Sequence, residues 1–90
     1  MLNIQYRNIF KKDVKLAKKR GKNTEKLKEV IKFLLEEKPL PPKYRDHPLV
    51  GNYVGRRECH IEPNWLLIYK KEPNALILER TGTHADLFDN

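Results

Sequence analysis

Five consecutive apolar residues, Trp65-Leu66-Leu67-Ile68-Tyr69, constrain this chain more than any other feature. Side chains alternate across a strand, so an unbroken apolar run leaves neither face for water. Such a strand belongs inside a sheet that is covered on both sides. Ninety residues build only one small core, so the other elements must be arranged around this strand. Pro63-Asn64 turns the chain into it, since Pro suits the second position of a turn and Asn tolerates the third. Upstream, Tyr53 to Ile61 reads as a strand bent at Gly55. Downstream, Lys71-Glu72-Pro73-Asn74 turns the chain into a last strand, Ala75 to Arg80, which Gly82 breaks. Ala85-Asp86-Leu87-Phe88 reads as a short tail docked by Leu87 and Phe88.

The first half supplies cover for that sheet. Leu2 to Tyr6 alternates apolar and polar residues with period two, which predicts a short strand. Asn8 is the expected N-cap of a helix that buries Phe10, Val14 and Ala17 and stops at Gly21. A second helix starts near Asn23-Thr24. Its Leu27, Val30, Ile31, Leu34 and Leu35 follow helical spacing, and Pro39 is expected to end it. Residues 43–52 read as a loop with a turn at Gly51-Asn52. The order β-α-α-β-β-β predicts an α+β fold over residues 1–90 as a single domain, with two N-terminal helices on a mainly antiparallel sheet.

Charge is distributed unevenly. Residues 1–45 carry 14 basic and 5 acidic side chains, whereas residues 46–90 carry 5 and 7. Lys11, Lys12, Lys15, Lys18, Lys19 and Arg20 cover the outer faces of the first helix. A basic half points to an anionic partner, although it also describes an ordinary solvated helix face. No apolar run approaches the roughly 18 residues of a membrane span, so no membrane role is expected. The N-terminus lacks the pattern of a secretory signal, and the single cysteine fits a cytoplasmic location.

The three histidines lie in three pieces that the strand order brings together: Asp46-His47-Pro48, Arg57 to Trp65, and Arg80 to His84. Along the middle piece Arg57, Cys59 and Ile61 share the core face. Arg56, Glu58, His60 and Glu62 share the wet one. Cys59 and His60 are adjacent and cannot ligate one ion in a regular strand, so no metal or other cofactor is expected. Histidines with an arginine suit acid–base cleavage of RNA. Imidazoles take the proton from the 2′-hydroxyl and give one to the 5′-oxygen, and a guanidinium holds the phosphate. Each residue also has a plain reading. His47 serves as a loop residue, His60 as a surface histidine, His84 as a cap, Asn64 as a turn residue and Trp65 as core. Phe88 packs the terminus, and Arg80 pairs with Glu58 or Glu62.

The runs Tyr44-x-Asp46-His47-Pro48-Leu49-x-Gly51, Arg57-Glu58-Cys59-His60-x-x-Pro63-Asn64-Trp65-Leu66-Leu67-Ile68-Tyr69 and Arg80-x-Gly82-x-His84-x-x-Leu87-Phe88 resemble the YafQ-type toxins of the RelE superfamily. The resemblance implies the toxin of a type II toxin–antitoxin pair, a ribosome-dependent, metal-free endoribonuclease that cuts messenger RNA in the A site. It implies catalytic positions at His47, His60, Asn64, Arg80 and His84, with His84 as general acid and Arg80 on the phosphate. Trp65 and Phe88 fall on positions that shape the RNA site. Lys11, Lys15, Lys18 and Lys19 would meet RNA of the 70S ribosome. The implied partners are a small acidic cognate antitoxin and, only through that complex, operator DNA. At residue 64 the family pattern has aspartate; asparagine cannot exchange a proton there, which implies weakened activity. The alternative is a non-enzymatic toxin on the same scaffold, like the gyrase-poisoning relatives, or an RNA- or protein-binding module.

Overall fold

The computed structural model describes residues 2–88. The apolar run begins strand β4, Trp65–Glu72, which lies at the centre of a five-stranded sheet. Its neighbours are β3, Arg57–Glu62, and β5, Ala75–Gly82, both antiparallel to it. Beyond β5 lies β1, Asn3–Tyr6, which runs parallel to β5; beyond β3 lies β2, His47–Pro48. Both faces of β4 are covered, as the apolar run requires. Leu66, Leu67 and Ile68 are fully buried, each worth about 1.5–3 kcal/mol before entropy is counted.

One face carries the helices. Helix α1, Asn8–Lys19, contributes Phe10 and Ala17, and α2, Thr24–Leu35, contributes Leu27, Val30 and Leu34. These pack with Cys59, Leu67, Tyr69, Leu76 and Leu78 of the sheet. The other face has thinner cover: Leu66 and Ile68 meet Leu87, Leu49 and Tyr53.

Several local expectations are corrected. Arg7, not Asn8, is the N-cap of α1, and no side chain caps it. Asn23 does cap α2, accepting a hydrogen bond from the Glu25 amide at 3.0 Å. Helix α2 stops at Leu35, ahead of Pro39. Glu37 takes a left-handed turn at φ 57°, so that Lys38 N–H reaches the Phe33 carbonyl and Glu37 N–H that of Leu34. Gly21, at φ 80°, ends α1 in the same way. The segment read as a loop contains β2 and two 3₁₀ turns, Pro42–Tyr44 and Gly51–Tyr53. Its anchor is polar. Asp46 accepts from the Tyr69 hydroxyl at 2.6 Å and from two Arg57 nitrogens at 3.3 Å. The tail is a helical turn, α3, His84–Phe88, in which Leu87 is buried and Phe88 remains 40% exposed.

A bulge between His60 and Glu62 alters one face assignment. Glu62 pairs opposite Trp65 and turns toward the helices, where its carboxylate meets Lys22 at 3.0 Å and Lys26 at 2.9 Å. These two lysines, Lys26 first, hold it below the usual carboxylate range.

Candidate functional site: three imidazoles on the thinly covered face

On the face opposite the helices, cross-strand pairing aligns the chemistry in two rows. One runs His47, Glu58, Ile68, Arg80; the next runs His60, Leu66, Gly82. Gly82 ends β5, so Thr83 and His84 cross over the sheet beside His60. The rings of His47 and His60 lie 6.1 Å apart, and those of His60 and His84 5.7 Å apart. The sequence separates these residues by up to 37 positions, and the antiparallel strands bring them into one line.

Each imidazole is held differently. His84 is exposed, and Asn64 Oδ1 fixes it by accepting from its backbone N–H at 3.1 Å and lying 2.8 Å from Nδ1. A backbone N–H can only donate, so the atom facing His84 is the amide oxygen, and Nδ1 must carry a proton. Nε2 of His84 is left for exchange with a ligand. His60 is mostly covered, with its side chain 12% exposed and Nε2 3.1 Å from Glu58 Oε1. The carboxylate fixes Nε2–H as donor, so Nδ1 carries the lone pair. That Nδ1 is buried without a hydrogen-bond partner, so a ligand reaches it only as its neighbours shift. His47 gives Nδ1–H to the Arg45 carbonyl at 2.7 Å and turns Nε2 toward the same Glu58 oxygen at 3.6 Å.

Glu58 is the residue that sequence reasoning undervalued. Read as part of a wet face, it is 5% exposed and stands between two imidazoles. The signal was its i, i+2 relation to His60; its depth was not legible, because the segment carrying His47 was read as a loop. His47 Nε2, Glu58 Oε1 and His60 Nε2 all lie within 4.8 Å of one another. With His60 Nε2–H donating to Glu58, one proton already lies among them.

Arg80 occupies the same face but pairs with neither Glu58 nor Glu62. Asp13 of α1 grips it, with Nε at 2.8 Å and Nη2 at 3.2 Å, and also accepts from the Thr81 amide at 3.2 Å. Asp13 thereby raises the Arg80 guanidinium above its already high range. Phe88 stands 6.5 Å from the His84 ring and meets Tyr53 edge-on at 5.7 Å. Trp65, placed with the RNA-binding positions by resemblance and read plainly as core, is core. Its indole is 1% exposed on the helix side, and its N–H donates to Thr81 at 3.0 Å, so it supports the site from beneath. Cys59 is fully buried, and burial pushes its thiol up, which removes it as a nucleophile. Lys11, Lys15, Lys18 and Lys19 are exposed on α1, and none forms an ion pair with another described residue.

A proton acceptor, a proton donor and a guanidinium on one open face are the equipment of general acid–base chemistry at phosphate. Comparison with known proteins agrees with that class. The family model described as bacterial toxin of type II toxin–antitoxin system, YafQ, matches residues 2–89. The mRNA interferase toxin YafQ of Escherichia coli K12 is 51% identical over 87 residues, covering 96% of this chain and 95% of that protein. YafQ in the crystal structure of the E. coli DinJ–YafQ toxin–antitoxin complex superposes with a TM-score of 0.91 at 50% identity, covering 97% of each chain. A metal-bound toxin from Helicobacter pylori superposes with a TM-score of 0.92 at 43% identity, covering 98% of this chain and 100% of that one. The fold is thus that of small bacterial type II toxins. Within that class, the chain belongs to the YafQ family.

Proposed function

We propose that this chain is an endoribonuclease that cuts messenger RNA in the A site of the translating ribosome. The 2′-hydroxyl attacks the adjacent phosphorus, the 5′-oxygen leaves, and the product ends in a 2′,3′-cyclic phosphate. The observation that carries this reading is the line of imidazoles at 6.1 and 5.7 Å spacing on an exposed sheet face. The E. coli relative's designation as an mRNA interferase supports it. In this reading His84 Nε2 protonates the leaving oxygen, with Asn64 setting the ring. His60, oriented by Glu58, takes the 2′-hydroxyl proton. Arg80 neutralises the phosphate, with His47 completing the cationic wall. Phe88 offers its exposed ring to a base.

The Lys11, Lys15, Lys18 and Lys19 face meets ribosomal RNA, and the site of action is therefore the cytoplasm. A small acidic antitoxin covers the same basic surface at rest, as DinJ accompanies YafQ in the E. coli complex. Operator DNA is reached only through that pair. Asn64 lowers the rate relative to an aspartate, because a neutral amide does not stabilise the imidazolium form of His84. The test is to map 3′ ends on a translated message with and without the protein. In-frame cuts ending in cyclic phosphate, lost in His84→Gln with ribosome binding retained, are expected. Unchanged messages overturn the reading.

One observation favours a second reading, in which a divalent ion assists. His47 Nε2, Glu58 Oε1 and His60 Nε2 form a two-nitrogen, one-carboxylate set that suits zinc, copper or nickel. The H. pylori relative is described as metal-bound. Such an ion would supply positive charge beside the phosphate, and His47, Glu58 and His60 would hold it. Calorimetric titration with zinc, repeated on Glu58→Gln, decides it: heat of binding lost in the variant supports the site. Absence of binding, together with cleavage unaffected by chelator, rejects it.

A further inference from the structure

His60 also forms part of the wall of a second cleft, on the side away from Phe88. This cleft, of about 430 Å³, lies between α2, the Pro42–Tyr44 turn and the β3–β4 turn. Its volume is in the range that takes a small ligand. Lys43 and Arg45 line it, both exposed, and neither forms an ion pair with another described residue. Lys43 Nζ stands 5.0 Å over the ring of Tyr44, which also lines the cleft. Lys26, a third lining cation, is already neutralised by Glu62 at 2.9 Å. Against Lys43 and Arg45 stands one further lining carboxylate, Glu29, in no ion pair with another described residue, so the cleft keeps a net positive charge, next to an apolar wall of Tyr44, Ile61 and Pro63.

Arg45 also has an unusual backbone. It takes the left-handed conformation, φ 47°, which a non-glycine residue adopts at a cost. That turn points its carbonyl at His47 Nδ1, 2.7 Å away. Arg45 thus belongs to both places: its carbonyl orients one of the three imidazoles, and the residue lines the cleft. An RNA strand crossing the histidine line must leave on two sides. Phe88 and Tyr53 flank one side, and this cleft flanks the other.

We propose that the cleft is a nucleotide subsite. It holds the RNA nucleotide flanking the scissile bond on the side away from Phe88, with its phosphate on Arg45 and Lys43 and its base or sugar on the Tyr44–Pro63 wall. The inference rests on the reading of the histidine face as an RNA-cleaving centre. The test uses isotope-labelled full-length protein and a 2′-O-methyl RNA trinucleotide, which lacks the attacking hydroxyl and is not cleaved. Amide resonances of residues 43–45 and 61–62 are expected to shift and saturate together with those of 83–88. The double variant Lys43→Gln/Arg45→Asn keeps a residue that tolerates the left-handed turn. It is expected to bind about tenfold more weakly, with the salt slope reduced by about 0.7 for one lost phosphate contact on a single strand. On translating ribosomes it needs more toxin or message for half-maximal cleavage. Shifts confined to residues 83–88, or a double variant that binds and cleaves like the parent, overturn the subsite. Saturable binding in the cleft without cyclic-phosphate ends on any message leaves the subsite standing and removes the nuclease reading instead.

Discussion

Asn64 shows how much one atom type decides. Its Oδ1 bridges the backbone and the ring of His84, so the turn residue and the exposed imidazole move as one unit. Asn64→Ala removes both bonds. Stability should fall by only about 0.5–1.5 kcal/mol, because the site is exposed. Cleavage should fall further, on the order of 10²-fold, in a translated-message assay that compares the variant with the parent. Asn64→Asp keeps the geometry and adds the charge that favours the imidazolium. Growth arrest on induction should deepen by about tenfold or more in toxin dose; no gain removes the idea that asparagine weakens this chain. Asn64 was legible as a turn residue. Its grip on His84 was not, because that contact depends on how far the chain travels after Gly82. Trp65 shows the opposite limit: a large aromatic beside a histidine-rich turn reads as a ligand platform, until the register places it on the helix side.

At the scale of elements, the short helix α3 is held in place by its first turn and by α1. Asp86 N–H donates to Thr83 Oγ1 at 3.1 Å, and Asp86 accepts from Thr83 N–H at 3.0 Å, a reciprocal cap. Arg20, just past α1, binds the same carboxylate at 2.6 Å. Arg20 foremost, then the Thr83 amide, pushes Asp86 down to about 2. A depressed carboxylate contributes stability above its unfolded pKa, about 3.9, and loses it as pH falls through the folded value. The gap in urea midpoint between the parent and Asp86→Asn should therefore be full at pH 6 and shrink toward pH 2. An unchanged gap would show that the pair does not hold α3. Gly82→Ala tests the same turn, since a methyl there lies 3.0 Å from Asp86 Cβ and Oδ2. It should cut cleavage more than it lowers the thermal midpoint. Helix and strand identities were legible from periodicity, because burial alone fixes them. The two-residue strand β2 was not, since it is too short for a periodic signal and Asp46 anchors it through Tyr69 and Arg57, contacts that no pattern announces. Nor was the parallel pairing of β1 with β5, which depends on where two helices return the chain.

Across the whole molecule, the helices lie on one face of the sheet and the three imidazoles on the other. The lysines of α1 and the histidine line are thus separable by mutation. Changing Lys11, Lys15, Lys18 and Lys19 together to Gln should leave urea stability nearly unchanged. It should weaken ribosome association and reduce its salt slope by up to about 3, if each lysine meets one phosphate. An unaltered slope would move the contact elsewhere. The fold class was legible at this scale because a five-residue apolar run needs cover on both sides. The inequality of that cover was not, and it has a consequence. Leu66 and Ile68 are shielded on the chemistry side by little more than Leu87, Leu49 and Tyr53, while the helices carry most of the apolar contact behind them. Segments with so few apolar contacts open at lower free energy than the core they sit on. Amide hydrogen exchange should find residues 46–56 and 83–88 unlocking together under conditions where β4 and β5 still need global unfolding. The wall that hides His60 Nδ1 is then a door on a rigid frame, and a ligand can reach the imidazole without disturbing the sheet that carries it.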